Sequence, residues 1–183
     1  TTTLAETTTE TTTTITVLTT ETEAALRTYV LSVMVNNHFG VLTRISGLFA
    51  RRGYNINSLT VGETQDERIS RMTIRGVGDD HTVEQIKNQL SKVEDVISLT
   101  ELYPTDAVFR ELYLVKVAAN DENRAYVLQI AGIFKAKAVD VTDSTITFEV
   151  SGDGEKLSSF YDNMQKYGIL EMARTGLTAM KRG

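Results

Sequence analysis

The sequence predicts an α+β protein built from two tandem βαββαβ units. Short β-rich apolar runs and helix-spaced apolar residues follow one another in that order, and the same order recurs in the second half of the chain. The only proline, Pro104, stands between the halves in Pro104-Thr105-Asp106, which is typical of a turn or short linker. We therefore expect a Thr-rich leader over 1–28, a first domain over 29–103 and a second domain over 104–183.

The first unit is predicted to contain four strands and two helices. Its strands are predicted at Tyr29–Val35, Asn55–Gly62, Arg68–Val77 and Val93–Leu102. The first helix should run from about Gly40 to Arg52, because apolar residues recur there at helical spacing, with Gly53 as its C-terminal cap. The second helix should be capped by Asp79 or Asp80. The apolar faces of the two helices are predicted to comprise Val41, Ile45, Leu48 and Phe49, and Val83, Ile86 and Leu90.

The second unit repeats this order. Its strands are predicted at Glu111–Ala118, Ala138–Thr142, Thr145–Val150 and Ile169–Met180, the last broken by a bulge at Gly176. Its helices are marked by inward residues at Tyr126, Val127, Ile130 and Phe134, and at Leu157, Phe160, Tyr161 and Met164. The order is that of the ferredoxin-like fold, with two helices on one face of a four-stranded antiparallel sheet. The bare sheet face and the edge strands favour a dimer.

Composition excludes several classes of function. The chain of 183 residues has no cysteine, so disulfides, thiol catalysis and Cys-ligated metals are excluded. The net charge of −5 disfavours general nucleic-acid binding. No apolar run is long enough to span a bilayer and no secretory signal is visible, so we expect a cytoplasmic protein without a membrane partner. The leader receives no function, because a Thr-rich stretch of this kind cannot bury a core.

The strongest candidate site is the loop between the first strand and the first helix, which holds Asn37 and Gly40. Free N–H groups at a helix N-terminus favour an anion, and Asn side chains both donate and accept hydrogen bonds. We predict that the N–H groups of residues 39–42 receive the carboxylate of a small zwitterion such as an amino acid. Asn55, predicted to be buried across the same helix end, would be a second contact when taken with Asn37. Taken alone, it fits a structural asparagine that satisfies its own backbone near a turn. The local pattern also fits a plain turn in which Asn37 caps the helix and Gly40 relieves strain.

Other polar residues carry weaker hypotheses. Arg44, Arg51 and Arg52 are expected on a solvated helix face. Arg68, Arg71 and Arg75 are predicted to alternate on one side of the third strand, as an anionic docking patch or as exposed strand residues. The only histidines, His38 and His81, lack partners at metal-ligand spacing, so no metal site is predicted. Gly152-Asp153-Gly154 is interpreted as a turn, because it lacks the Lys-Ser/Thr of a phosphate loop.

Several segments together resemble the regulatory (small) subunit of acetolactate synthase, also called acetohydroxyacid synthase. The resemblance covers about residues 28–182. It is carried by Leu31-Ser32-Val33, Asn37-His38-Phe39-Gly40-Val41-Leu42, the run from Gly47 to Gly62, Ser70-Arg71-Met72-Thr73-Ile74, Glu84-Gln85-Ile86 with Gln89-Leu90, Arg110 to Val117, and Ala173-Arg174-Thr175-Gly176.

This resemblance implies an N-terminal ACT domain, which is the amino-acid-sensing form of the βαββαβ fold, and a C-terminal ferredoxin-like domain. Such subunits are not catalytic. They bind and activate a large catalytic subunit, which carries thiamine diphosphate, Mg²⁺ and FAD, and they confer feedback inhibition by valine or a related branched-chain amino acid. The ligand then sits between the ACT domains of a homodimer.

By matching positions, the resemblance places the effector contacts on Asn37, Gly40 and Asn55. Val41, Leu42 and Ile56 would line the pocket, and His38-Phe39 is a variable part of the loop. The catalytic and metal-binding sets are expected to be empty, and the chain itself is expected to bind no cofactor.

Two other functions use the same chain order. An acylphosphatase would need an arginine within the anion loop, whereas the nearest one here, Arg44, is predicted inside the helix. An RNA-recognition module would need paired aromatic motifs on its sheet, which are missing, and the acidic balance also disfavours it.

Overall fold

The computed structural model describes residues 25–183, so residues 1–24 of the leader predicted over 1–28 lie outside the described residues. The first unit contains β1 (Arg27–Asn36), α1 (Val41–Arg51), β2 (Ser58–Glu63), β3 (Ile69–Gly78), α2 (Asp80–Leu90) and β4 (Val96–Glu101). The second unit contains β5 (Ala107–Ala118), α3 (Arg124–Ile133), β6 (Lys137–Val141), β7 (Thr145–Gly152), α4 (Gly154–Gln165), β8 (Ile169–Arg174) and β9 (Thr178–Lys181). The α+β class and the tandem βαββαβ order predicted from sequence are confirmed.

Each unit forms an antiparallel sheet with its first strand in the interior. The first sheet has the order β2-β3-β1-β4, and the second has the order β6-β7-β5-β8, with β9 paired to the early half of β5. The helix-facing residues of each sheet form a separate core with the two helices of that unit. In the first unit this core includes Leu31, Val33 and Ile74, all with 0% of their surface exposed.

Local capping signals set the ends of the helices. The side chain of Asp79 accepts a hydrogen bond from Thr82 N at 2.7 Å and begins α2, and Asp153 does the same for Lys156 N at 3.0 Å in α4. Gly53 has φ 69° and follows α1, with Gly53 N bonded to Ala50 O and Tyr54 N to Phe49 O. This glycine-ended motif satisfies the last carbonyls of the helix, as predicted.

The two units meet through the outer face of the first sheet. A small buried cluster at this junction contains Val30, Leu102, Ala107, Leu177 and Ala179. Thr60 Oγ1 donates to Leu177 O at 2.6 Å, and Leu177 N donates to Ser58 Oγ at 2.8 Å. The backbone N–H and carbonyl groups of Leu177 therefore both bind β2, and they attach the segment after β8 to that strand.

The structure corrects three predictions about the strands and helices. The predicted strand Ile169–Met180 is two strands, β8 and β9, and Gly176 (φ 85°) lies in the connection rather than in a bulge within a ladder. Strand β2 begins at Ser58 and not at Asn55, because its pairing with β3 begins at Ser58↔Arg75. Tyr126 points outward with 61% exposure, since the buried face of α3 is made by Val127 and Ala131.

Candidate functional site

The loop between β1 and α1 is held in place by hydrogen bonds from its backbone. Asn36 N donates to Asp95 O at 2.9 Å, and Asn37 N donates to Arg68 O at 2.7 Å. Gly40 occupies the N-cap position with φ 89°, a left-handed conformation that strains any other residue. The chain therefore reverses sharply here and starts α1 without a side-chain cap.

Four N–H groups at this turn are open. Within residues 25–183, no hydrogen bond uses the N–H of Phe39, Gly40, Leu42 or Thr43. Val41 N makes only a long contact of 3.5 Å to His38 O. Such free donors at the positive end of a helix dipole are suited to an anion, and a carboxylate can accept several of them at once.

The Asn37 side chain does not cap α1, which overturns the plain-turn interpretation of this residue. Its Nδ2 donates to Glu63 Oε1 at 3.0 Å, at the end of β2, and to Glu67 O at 2.8 Å, in the β2–β3 connection. Because both partners are acceptors, the amide orientation is fixed and both N–H groups are used. The Oδ1 atom remains as the free polar group of this side chain and can only accept a hydrogen bond.

An exposed ion pair lies in the neighbouring β2–β3 connection. The Arg68 guanidinium donates to Asp66 Oδ1 at 2.9 Å and to Asp66 Oδ2 at 2.7 Å. Hydrogen bonds from the Arg68 side chain and backbone lower the pKa of Asp66 to about 2. Arg68 is thus engaged in the turn, so the prediction that it alternates with Arg71 and Arg75 along one strand is wrong.

The sequence analysis missed Asp95, which organises the other side of the loop. Its side chain is 5% exposed, lies 2.7 Å from His38 Nε2, and accepts a hydrogen bond from Arg44 Nη1. His38 belongs to the loop and Arg44 to α1, so one buried carboxylate ties both to the start of β4. The sequence signal for a buried carboxylate was the acidic pair Glu94-Asp95 between Val93 and Val96, two residues that pack on the first core. Nothing in its spacing pointed to His38 or Arg44.

The apolar residues predicted to line the site divide into two groups. Val41 is buried in the first core and Ile56 packs partly against that core. Phe39 and Leu42 are 103% and 46% exposed. The loop therefore presents an apolar surface to solvent around its open N–H groups.

Asn55 lies elsewhere than predicted. It is exposed rather than buried, and it follows the C-terminus of α1, whereas Asn37 precedes the N-terminus. A helix of 11 residues spans about 16 Å, so the two asparagines do not share one helix end. The strand register also separates them. Ser58, which follows Asn55, is level with Arg75 and Val30 near one end of the sheet, whereas Asn36, which precedes Asn37, is level with Ile69 at the opposite end.

Other chemistry is not supported within the described part of the chain. Residues 25–183 contain no group of three or more His, Cys, Asp or Glu side chains that could hold a metal ion. Arg44 lies in α1 with its side chain on Asp95, so the loop lacks the arginine that an acylphosphatase requires. Over the same residues, no helix is both long and apolar enough to cross a bilayer.

Comparison with known proteins decides the family. The model for the acetohydroxyacid synthase small subunit-like ACT domain matches residues 31–98, and the model for the small subunit of acetolactate synthase matches residues 110–183. The chain belongs to the acetolactate synthase small-subunit family.

Relatives support this family assignment over nearly the whole described chain. The probable acetolactate synthase small subunit of Methanothermobacter thermautotrophicus is 47% identical over 157 residues, covering 85% of this chain and 94% of that protein. The small subunit of Aquifex aeolicus is 44% identical over 158 residues, covering 86% and 82%. The crystal structure of the acetolactate synthase small subunit from Thermotoga maritima superposes with a TM-score of 0.79 at 38% identity, covering 86% of this chain and 98% of that one. No comparison supports the acylphosphatase alternative.

Proposed function

We propose that this chain is a non-catalytic regulatory subunit of acetolactate synthase. In this role it binds and activates the catalytic large subunit and confers feedback inhibition by valine or a related branched-chain amino acid. Membership of the small-subunit family over both units supports the role, since the relatives' names imply a large partner subunit. Thiamine diphosphate, Mg²⁺ and FAD would then belong to that partner, and this chain would bind none of them.

The observation that carries the ligand proposal is the set of open N–H groups at the start of α1. The amino-acid carboxylate would accept hydrogen bonds from Phe39, Gly40, Leu42 and Thr43, which lose nothing by donating. The Asn37 Oδ1 atom would accept from the ammonium group, because its Nδ2 is already committed to Glu63 and Glu67. The exposed side chains of Phe39 and Leu42 would cover the aliphatic part of the ligand.

The site requires two copies of the chain if Asn55 is part of it. Asn37 and Asn55 lie at opposite ends of α1, about 16 Å apart along the helix, which exceeds the length of a valine. A homodimer through the ACT domains would bring the Asn55 and Ile56 of one protomer to the loop of its partner. Inhibition would follow if the ligand binds the less active assembly more tightly, and a coupling of about 1–3 kcal/mol is typical.

Isothermal titration with valine, leucine and isoleucine tests the ligand. We expect saturable binding, and Asn55→Ala should weaken it about tenfold through loss of one hydrogen bond to a charged group. Asn57→Ala is the matched control, because Asn57 is an exposed asparagine two residues away. Gly40→Asp should abolish binding more fully than Gly40→Ala, since both strain the turn but only aspartate adds a charge. If no branched-chain amino acid binds while the protein stays dimeric, the sensing role is wrong.

A mixing experiment tests the shared site. Proteins carrying Asn37→Ala and Asn55→Ala should each bind weakly, but a mixed dimer contains one intact site and one doubly altered site. Tight binding should therefore reappear when the two variants are co-refolded. Failure to recover tight binding in verified mixed dimers would show that both residues do not act across two copies. Addition of the protein to purified large subunit separately tests activation.

A further inference from the structure

A polar pocket lies on the outer face of the first sheet, away from the helices and from the loop over residues 37–40 that we propose binds the amino acid (the effector loop). The cavity has a volume of about 240 Å³, and its polar lining comes from Arg71, Lys181, Ser32, Ser98 and Thr100. Strand register explains this grouping, because Arg71 lies opposite Met34, Met34 opposite Ser98, and Ser32 opposite Thr100. These positions therefore share one face of the sheet.

Lys181 reaches the pocket from the other unit. It is the last residue of β9 and is paired with Ala107 on β5. The second unit lies against this face through the buried Leu177 and Ala179, with Leu102 of the pocket wall in the same cluster. The pocket is thus complete only when both units are in their native arrangement.

The pocket carries two positive charges without a compensating acid. Neither Arg71 nor Lys181 makes an ion pair within residues 25–183, and no Asp or Glu lines this cavity. The one hydrogen bond of the Arg71 side chain is a long contact of 3.3 Å from Nη1 to Ser32 Oγ. Both cations and the hydroxyls can therefore donate to a ligand.

Glu63 is a carboxylate that lines the adjoining cavity, which shares Arg71. It makes no ion pair with Arg71 within the described residues, and its Oε1 accepts from Asn37 Nδ2 at 3.0 Å. Strand register pairs Glu63 with Ser70 and Gly62 with Arg71, so Glu63 is not on the face of the sheet that holds Arg71.

We propose that this pocket binds the phosphate group of a small molecule. A phosphate dianion matches the two uncompensated charges of Arg71 and Lys181, whereas a single carboxylate would leave one charge unbalanced. The phosphate oxygens can accept hydrogen bonds from the guanidinium of Arg71 on β3 and from the ammonium of Lys181 on β9. The hydroxyls of Ser98 and Thr100, both on β4, can donate as well. The site is separate from the effector loop, and the proposal does not depend on branched-chain amino-acid binding.

Isothermal titration of the full-length protein with inorganic phosphate, at constant ionic strength in mildly alkaline buffer, tests this proposal. We expect one saturable site per chain, with shifted ¹⁵N amide resonances of Ser98 and Thr100. Arg71→Gln should weaken binding at least about tenfold, and Lys181→Gln should weaken it by a similar factor. Arg75→Gln is the matched control, because Arg75 lies on the same strand and face but does not line this pocket.

Two further arms identify the source of the phosphate and protect against misfolded variants. Tighter binding of glycerol 3-phosphate than of inorganic phosphate would indicate a phosphorylated metabolite, and equal binding would indicate free phosphate. Thr100→Val provides a second test if Arg71→Gln does not fold, since Thr100 is exposed. Heat signals that do not saturate, or an equal loss in Arg75→Gln, would show mere counterion attraction and overturn the proposal.

Discussion

Replacing Asp95 by asparagine should loosen the loop between β1 and α1 while leaving the fold intact. The carboxylate is 5% exposed, accepts a hydrogen bond from Arg44 and lies 2.7 Å from His38 Nε2, and the side chains of His38 and Arg44 are each 52% exposed. Hydrogen bonds to charged groups contribute roughly 1.5–3 kcal/mol when shielded, but half-exposed partners regain water and the contribution falls to about 0.5–1 kcal/mol each. The loss of both should make local opening easier by about 1–2 kcal/mol.

Chymotrypsin cleavage at Phe39 measures this opening directly. The Phe39 side chain is 103% exposed, but the backbone around it must detach from Asp95 and Arg68 before a protease can extend it. Cleavage of such a segment follows the population of its open form. A change of about 1–2 kcal/mol raises that population roughly 5–30-fold, so cleavage should accelerate by the same factor.

Asp66→Asn is the matched control for this measurement. Asp66 also pairs with an arginine near the loop, but Arg68 is 88% exposed and the pair lies in solvent. We expect little change in cleavage at Phe39 from this substitution, because exposed pairs contribute little. An unchanged cleavage rate in Asp95→Asn, or the same acceleration in both variants, would refute the role assigned to Asp95.

Two further predictions concern stability. Gly76→Ala should destabilise the first unit by about 1–3 kcal/mol in urea unfolding, because a Cβ there would lie 2.3 Å from the hydroxyl of the buried Tyr29. Gly62→Ala on β2, with open space around its Cβ, should show no loss, and equal curves for the two variants would contradict the packing argument. Burial alone would raise the pKa of Glu101, but hydrogen bonds from Arg27 and Tyr103 and the charge of Arg27 lower it overall. Its stabilising effect should thus be present at neutral pH and be lost as the pH falls through the lowered pKa, and Glu101→Gln should flatten the acid limb of a plot of unfolding free energy against pH.

The features predicted correctly from sequence depend on signals that are local in the chain. The cap at Asp79 needs only an acceptor and an N–H three residues later, and the end of α1 at Gly53 needs only a residue that tolerates positive φ. Hydrophobic periodicity likewise identified Val83, Ile86 and Leu90 as the buried face of α2. These signals do not require knowledge of which segments pair.

The features that were missed depend on pairing between distant segments. Asp95 lies 51 positions from Arg44 in the chain, and no spacing rule connects them. The positions of Asn37 and Asn55 depend on the length and direction of α1, and a motif that contains both does not show that they lie at opposite ends. The split of the last strand depends on β9 finding the early half of β5, which was predicted to begin only at Glu111.

The position of β2 explains how the segment that contains Asn55 is physically connected to the second unit. Asn55 leads directly into β2, and the outer face of β2 holds the backbone of Leu177 at both its N–H and its carbonyl group through Ser58 and Thr60. Gly176 is required beside this contact, because a Cβ there would lie 2.8 Å from Ser58 Oγ and its φ is 85°. A displacement of Asn55 must therefore either move the segment after β8 along with β2 or break two hydrogen bonds to a single residue. Since that segment continues into β9, which pairs with β5, a displacement of β2 reaches the second unit unless these two hydrogen bonds break.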